Sequence, residues 1–198
     1  MNTNTATPTT ATDLAVIEKL ALDKLNKSLA KSDLDDLLCG ARRSLLLVDC
    51  SGSMSDTIRS GGRKIDALRT VVATLRETHP VPVAAFGAFG GSVQVVDNVP
   101  EPSGETPLHL AIDFGRTEGA THLVVVTDGQ PDNEDAAFSA ARAFGRPIDV
   151  FYIGDGLDRG SSFSKELAEM TGGTCGLTDL GKPKELAGKI RLMLGDGN

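Results

Sequence analysis

Tryptophan is absent, and aromatic residues make up only 4% of the 198-residue chain. That scarcity argues against platforms on which nucleobases stack. Basic charge is also short: 20 Lys and Arg against 27 Asp and Glu leave a formal charge of −7. A protein that gripped nucleic acid through its phosphates would carry the opposite balance. The three cysteines, Cys39, Cys50 and Cys175, have no CxxC spacing, which excludes a cysteine zinc site and a disulfide framework. They read as small apolar residues in a reducing compartment. No apolar run approaches the roughly 20 residues of a membrane-spanning helix. The opening MNTNTATPTTAT has neither the basic start nor the apolar stretch of a secretory leader, so the expected address is the cytoplasm, with no membrane partner.

What remains is an ordinary globular composition, 40% hydrophobic and 24% charged. The length suggests one domain with an extension. Residues 1–12 are too polar to bury a core and read as a disordered tail. From 13 to 40 a helical extension is expected. Leu14, Ile17, Ala21, Leu25 and Leu29 draw one apolar stripe. Ser32 and Asp35 then open a second short helix that Gly40 stops. We expect this stripe to dock on the domain that follows, at 41–195.

Within that domain, strand and helix signals alternate. Leu45 to Val48 is an apolar run suited to a strand buried on both faces. Ile65, Leu68, Val72 and Leu75 mark a helix ending before Pro80. Val81 to Phe89 and Val93 to Val96 predict a hairpin turning at Gly90-Gly91. Thr106-Pro107 opens a helix to about Glu118, with Pro at its first position. His122 to Val126 is a further buried strand, residues 134–144 a helix, and Ile148 to Ile153 a strand. Phe163, Leu167 and Met170 mark a helix stopped at Gly172-Gly173. A short edge strand at Gly176 to Thr178 precedes a last helix carrying Leu186, Ile190 and Met193. This order predicts an α/β fold: a doubly wound, Rossmann-like, mostly parallel six-stranded sheet with one antiparallel edge strand and helices on both faces. Such sheets bind ligands beyond the carboxyl ends of their strands, where strand order reverses.

Three clusters of oxygen-bearing side chains fall on loops at that edge: Asp49-Cys50-Ser51-Gly52-Ser53, Gly104-Glu105-Thr106-Pro107 and Thr127-Asp128-Gly129. Asp49, Ser51 and Ser53 alternate, so their side chains can converge from an extended turn. Two carboxylates and three hydroxyls form a hard-oxygen set suited to Mg²⁺. An added carboxylate from outside would complete its shell.

DCSGSMS, then GETPL, then TDG, in this order and on these loops, resembles the von Willebrand factor A domain over about residues 43–194. Its metal-ion-dependent adhesion site pairs Asp-x-Ser-x-Ser with a distant Thr and a distant Asp, matched here by Asp49, Ser51, Ser53, Thr106 and Asp128. The resemblance implies Mg²⁺ or Mn²⁺, with Ca²⁺ also possible. It implies direct contact from Ser51, Ser53 and Thr106, and contact partly through water from Asp49 and Asp128. It implies protein binding through a partner's Asp or Glu, not catalysis. Intracellular bacterial and archaeal members often work beside AAA+ ATPases, so an adaptor of a MoxR-like ATPase is the alternative. Cys50 stands at a position that faces the core in the family.

Other readings are weaker. Ser51, Ser53 and Thr106 could merely cap helices. A serine hydrolase lacks the G-x-S-x-G elbow, and only His79, His109 and His122 could serve as bases. A Mg²⁺-dependent hydrolase would depend on His109 or the Asp132–Asp135 loop. That acidic run better suits the first turn of a helix. Gly87-Ala88-Phe89-Gly90-Gly91 and Gly154-Asp155-Gly156 lack a phosphate-loop pattern and read as turns. Arg59, Arg63 and Lys64 form a basic cluster near the first loop, expected to be a solvated face that could receive an acidic surface.

Overall fold

The computed structural model describes residues 43–58, 61–154, 156–178 and 180–194. The expected tail at 1–12, the helical extension at 13–40 and Arg59 lie outside them. The strands are β1 (Ser44–Asp49), β2 (Val83–Phe89), β3 (Ser92–Val95), β4 (His122–Thr127), β5 (Ile148–Ile153) and β6 (Cys175–Thr178). The helices are α1 (Lys64–Thr78), α2 (Leu108–Thr117), α3 (Glu134–Phe144), α4 (Arg159–Thr171) and α5 (Pro183–Leu194), with a 3₁₀ turn at Gly52–Ser55. Among the described residues, no helix is long and apolar enough to cross a membrane.

The six strands form one sheet in the order β3-β2-β1-β4-β5-β6, parallel except for β3. The fold is therefore the expected Rossmann-like α/β arrangement with an antiparallel edge. Every residue of β4 and β5 is buried, as is β1 from Leu45 onward. This explains their unbroken Val, Leu and Ile runs: a strand covered on both faces has no polar side. Leu46, Val48, Val124 and Val126 pack under α1 and α5. Leu45, Leu47, Leu123 and Val125 pack under α2, α3 and α4. The period of two thus divides each central strand between two cores.

β1 pairs with β2 on one side and β4 on the other. The chain winds outward in one direction from β1 and in the other from β4. β1 and β4 therefore flank the switch point of the sheet, and sheets of this kind bind ligands outside the carboxyl ends of the strands there. Asp49 ends β1, and Thr127 ends β4.

Two boundaries differ from the sequence reading. β2 begins at Val83 rather than Val81, because Pro80 and Pro82 have no N–H to give the ladder. Pro107 is the residue before α2, with ψ 61, not its first helical residue. The hairpin turns at Gly90 and Gly91, both with positive φ (60° and 91°), as a two-residue turn of this hand requires.

Gly87 matters more to the site. It lies within an irregularity in the β2–β3 ladder and has φ 94°. A Cβ there would stand 2.7 Å from the Ser51 nitrogen and 3.0 Å from the Glu105 carbonyl oxygen. The absent side chain lets β2 press against two site loops at once. Gly87→Ala should therefore destabilise the domain by roughly 2 kcal/mol or more beyond Gly91→Ala, since both residues have positive φ but Gly91 faces open space. Urea unfolding of the two variants measures the difference, and equal midpoints would contradict this account.

Candidate functional site

Three loops are stitched together by their backbones. The Gly52 N–H donates to the Gly104 carbonyl at 3.1 Å, the Ser103 N–H to the Cys50 carbonyl at 2.9 Å, and the Asp132 N–H to the Thr106 carbonyl at 3.1 Å. The Ser103 hydroxyl adds a bond to the Ala88 carbonyl at 3.1 Å. These bonds hold the first, second and third oxygen-bearing segments in one place.

Asp49 is wholly buried. Its Oδ1 accepts the Ser51 N–H at 2.8 Å, and its Oδ2 accepts the Thr127 hydroxyl at 2.5 Å. Thr127 in turn accepts the Gly129 N–H at 3.2 Å. One carboxylate thereby fixes the turn after β1 and the turn after β4. Burial pushes the Asp49 carboxyl from its ordinary 3.8 up to about 6, against the hydrogen bonds from Thr127 and Ser51, with the Asp128 charge adding to the rise.

Beyond it, the Ser51 and Ser53 hydroxyl oxygens lie 3.1 Å apart, and the Ser53 hydroxyl donates to Asp128 Oδ1 at 2.7 Å. A Cβ on Gly129 would fall 3.5 Å from Thr106 Oγ1 and 3.8 Å from Ser53 Oγ. All five sequence-predicted site residues thus gather at the carboxyl ends of β1 and β4. Ser51, Thr106 and Asp128 are buried, while Ser53 is exposed and opens the group to solvent.

Helix capping does not occupy these hydroxyls. Ser51 precedes the 3₁₀ turn without a side-chain cap bond, and neither α1 nor α2 receives one at its start. By contrast, Asn133 caps α3 by accepting from Ala136, and Asp158 caps α4 by accepting from Ser161. Cys50 is buried, and its thiol is pushed up to about 12 by that burial and by the neighbouring Asp49 charge. It is an inert core residue.

Of the basic cluster, the described Arg63 and Lys64 are both ion-paired, Arg63 at the surface and Lys64 inward. Arg63 pairs with Asp66 and Glu101, each at 2.9 Å. Lys64 turns inward: its Nζ donates to Asp128 Oδ2 at 2.7 Å, Asp56 Oδ2 at 3.3 Å and the Ser53 carbonyl at 3.4 Å. Burial alone would draw the Lys64 ammonium down. Its hydrogen bonds to Asp128 and Asp56, and their charges, more than reverse this and hold it above its ordinary value. Lys64 and Thr127 are the site residues that motif reading does not assign. Their signal was only adjacency: Lys64 lies near the first loop and Thr127 precedes Asp128.

The other candidates make no side-chain hydrogen bond to the five residues among the described contacts, although the Asp132 backbone is bonded to Thr106. Glu134 and Asp135 form the acidic first turn of α3, as expected from the helix dipole. His109, half-buried on α2, has Nδ1 3.6 Å from Asp132 Oδ1 and no hydrogen bond to that atom. His122 lies at the amino end of β4, far along the strand from Asp128. It joins Asp149 at 2.8 Å and Ser44 at 3.1 Å, a buried polar tie across β1, β4 and β5.

The donor set is all oxygen, with two carboxylates and three hydroxyls, which suits a hard divalent cation. Among the described residues, no group of three or more His, Cys, Asp or Glu forms a metal-binding cluster; the serine and threonine hydroxyls make this a different kind of set. Of the five residues, Asp128 is ion-paired with the Lys64 ammonium at 2.7 Å. No protein-family model matches the chain, and no curated protein does.

The buried Asp49 charge makes a stability prediction. In the unfolded chain this carboxyl titrates near 3.8, so above about pH 6 the fold carries its charge at a cost on the order of 3 kcal/mol, which fades as pH falls towards 4. Without divalent metal, Asp49→Asn should melt a few degrees above the wild-type chain at pH 7.5. Thermal denaturation in EDTA checks this, and a variant that melts lower would show that the charge itself holds the loops.

Proposed function

We propose that this chain is a divalent-cation-dependent protein-binding module of the von Willebrand factor A type. In this reading the hydroxyls of Ser51, Ser53 and Thr106 would hold Mg²⁺ or Mn²⁺ directly. Asp49 and Asp128 would supply the negative charge behind them. A cation so bound supplies a Lewis-acidic position for one carboxylate oxygen of a partner's Asp or Glu.

The observation that carries this reading is the convergence of three hydroxyls, none used as a helix cap, with two buried carboxylates at the sheet's switch point. The residues divide the work. Asp49 uses both oxygens to fix Ser51 and Thr127, so it positions more than it binds. Asp128 aligns Ser53. The exposed Ser53 lies where an approaching acidic side chain would arrive. Neutral hydroxyls leave a dication more positive than a cage of carboxylates would, which favours capture of an external anion.

Full-length chain titrated with Mn²⁺ should bind one ion. Thr106→Ala and Ser53→Ala should each weaken that binding by about tenfold or more while melting close to wild type. A protein captured by the immobilised chain in Mg²⁺ should be released by EDTA and not retained by Thr106→Ala. Unchanged Mn²⁺ affinity in both variants, or capture indifferent to EDTA, would refute the proposal.

A further inference from the structure

We infer that Lys64 is a tethered cation that competes with a divalent ion for the Asp128 carboxylate. The centre then exists in a lysine-filled form and a metal-filled form. This inference rests on the metal-site reading above and concerns how that site is regulated.

The ammonium is held as a ligand would be. Its three N–H donors meet three oxygens, on Asp128, Asp56 and Ser53. The backbone fixes its origin: the Lys64 N–H donates to the Asp56 carbonyl at 3.0 Å, and Thr57 bridges to Arg63 beside it. Helix preference does not explain the position. Lys64 is the first residue of α1, where the dipole disfavours a cation. The partner explains it. The Asp128 side chain has no solvent exposure, and the ammonium is its one ion-pair partner among the described residues. A buried carboxylate left without a counter-charge is strongly destabilising.

A divalent ion among Ser51, Ser53 and Thr106 would bring a second positive charge to the same carboxylate. Two cations sharing one buried anion repel each other at short range in a weakly screened site. Filling by metal therefore displaces the ammonium. The way out exists: the Lys64 side chain is 19% exposed, and Asp56, with 67% of its side chain exposed, already lies 3.3 Å from Nζ at the surface. The consequence is a threshold. In the lysine-filled form Asp128 is neutralised without metal, and the ion must out-compete a ligand whose effective concentration is set by its tether.

The test uses the full-length chain and Mn²⁺ alone, followed by electron paramagnetic resonance. Lys64→Met keeps the apolar stem and removes the charge. It should bind Mn²⁺ at least about tenfold more tightly than wild type. In parallel, saturating Mg²⁺ should raise reductive methylation of Lys64 in the wild-type chain, read by mass spectrometry, with exposed Lys165 as an unchanged internal reference. Equal or weaker Mn²⁺ binding by Lys64→Met would overturn the inference and leave the metal site standing. No Mn²⁺ binding by either protein would overturn both. Should Lys64→Met fail to fold, the methylation alone decides, and labelling of Lys64 indifferent to Mg²⁺ overturns the inference.

Discussion

Everything at the carboxyl edge of the sheet is arranged around the buried carboxylate of Asp49. It ends the central strand β1 and accepts one hydrogen bond from the turn that follows and one from Thr127 on β4. These are the two strands between which the direction of winding reverses. A charge in this position is costly, as its raised pKa records. It persists because it locks two turns whose side chains must face each other. A sheet needs no such residue for stability: Leu, Val or Ile would fill the position more cheaply. The expense marks the end of β1 as a place built for something other than packing.

The remaining oxygens follow from that anchor. Ser51 and Ser53 project from the turn that Asp49 fixes, and Asp128 follows the strand that Thr127 ends. Gly87 and Gly104 admit the neighbouring strand and loop without side chains in the way; a Cβ on Gly104 would stand 2.8 Å from the Gly87 carbonyl oxygen. Two negative charges lie close together, and Lys64 neutralises one of them. The lysine supplies a counter-charge to a carboxylate that would otherwise be buried unpaired. Under the proposed reading it also puts a positive charge where a ligand cation would act, so stability and occupancy would oppose each other at the same carboxylate. A trade of this kind is common where function needs groups that folding would otherwise exclude.

Much of this was legible in the sequence, for identifiable reasons. The strands Leu45–Val48, His122–Val126 and Ile148–Ile153 are buried on both faces, so their apolar runs are continuous and hard to mistake. Asp49, Ser51, Ser53, Thr106 and Asp128 were legible as a set because each follows a strand signal or precedes a helix signal. Loop lengths then bring them to one edge. Lys64 was not legible. A lysine beside arginines looks like solvated surface, and its inward bond joins it to Asp128, 64 positions away, while Arg63 goes to Asp66 and Glu101. Thr127 was hidden likewise: a threonine ending a strand is ordinary, and its bond to Asp49 joins residues 78 positions apart. Pro107 misled in a small way, since its fixed φ suits a first helical position but its ψ of 61 leaves it outside the helix.

The central claim is that these five side chains form one cation-binding centre. Crystals of the full-length chain soaked in Mn²⁺, with an anomalous difference map at the manganese edge, test it most directly. The account predicts a single strong peak within bonding distance of the Ser51, Ser53 and Thr106 hydroxyls, with the Lys64 ammonium withdrawn from Asp128. No peak there, or a stronger peak elsewhere on the chain, would contradict it.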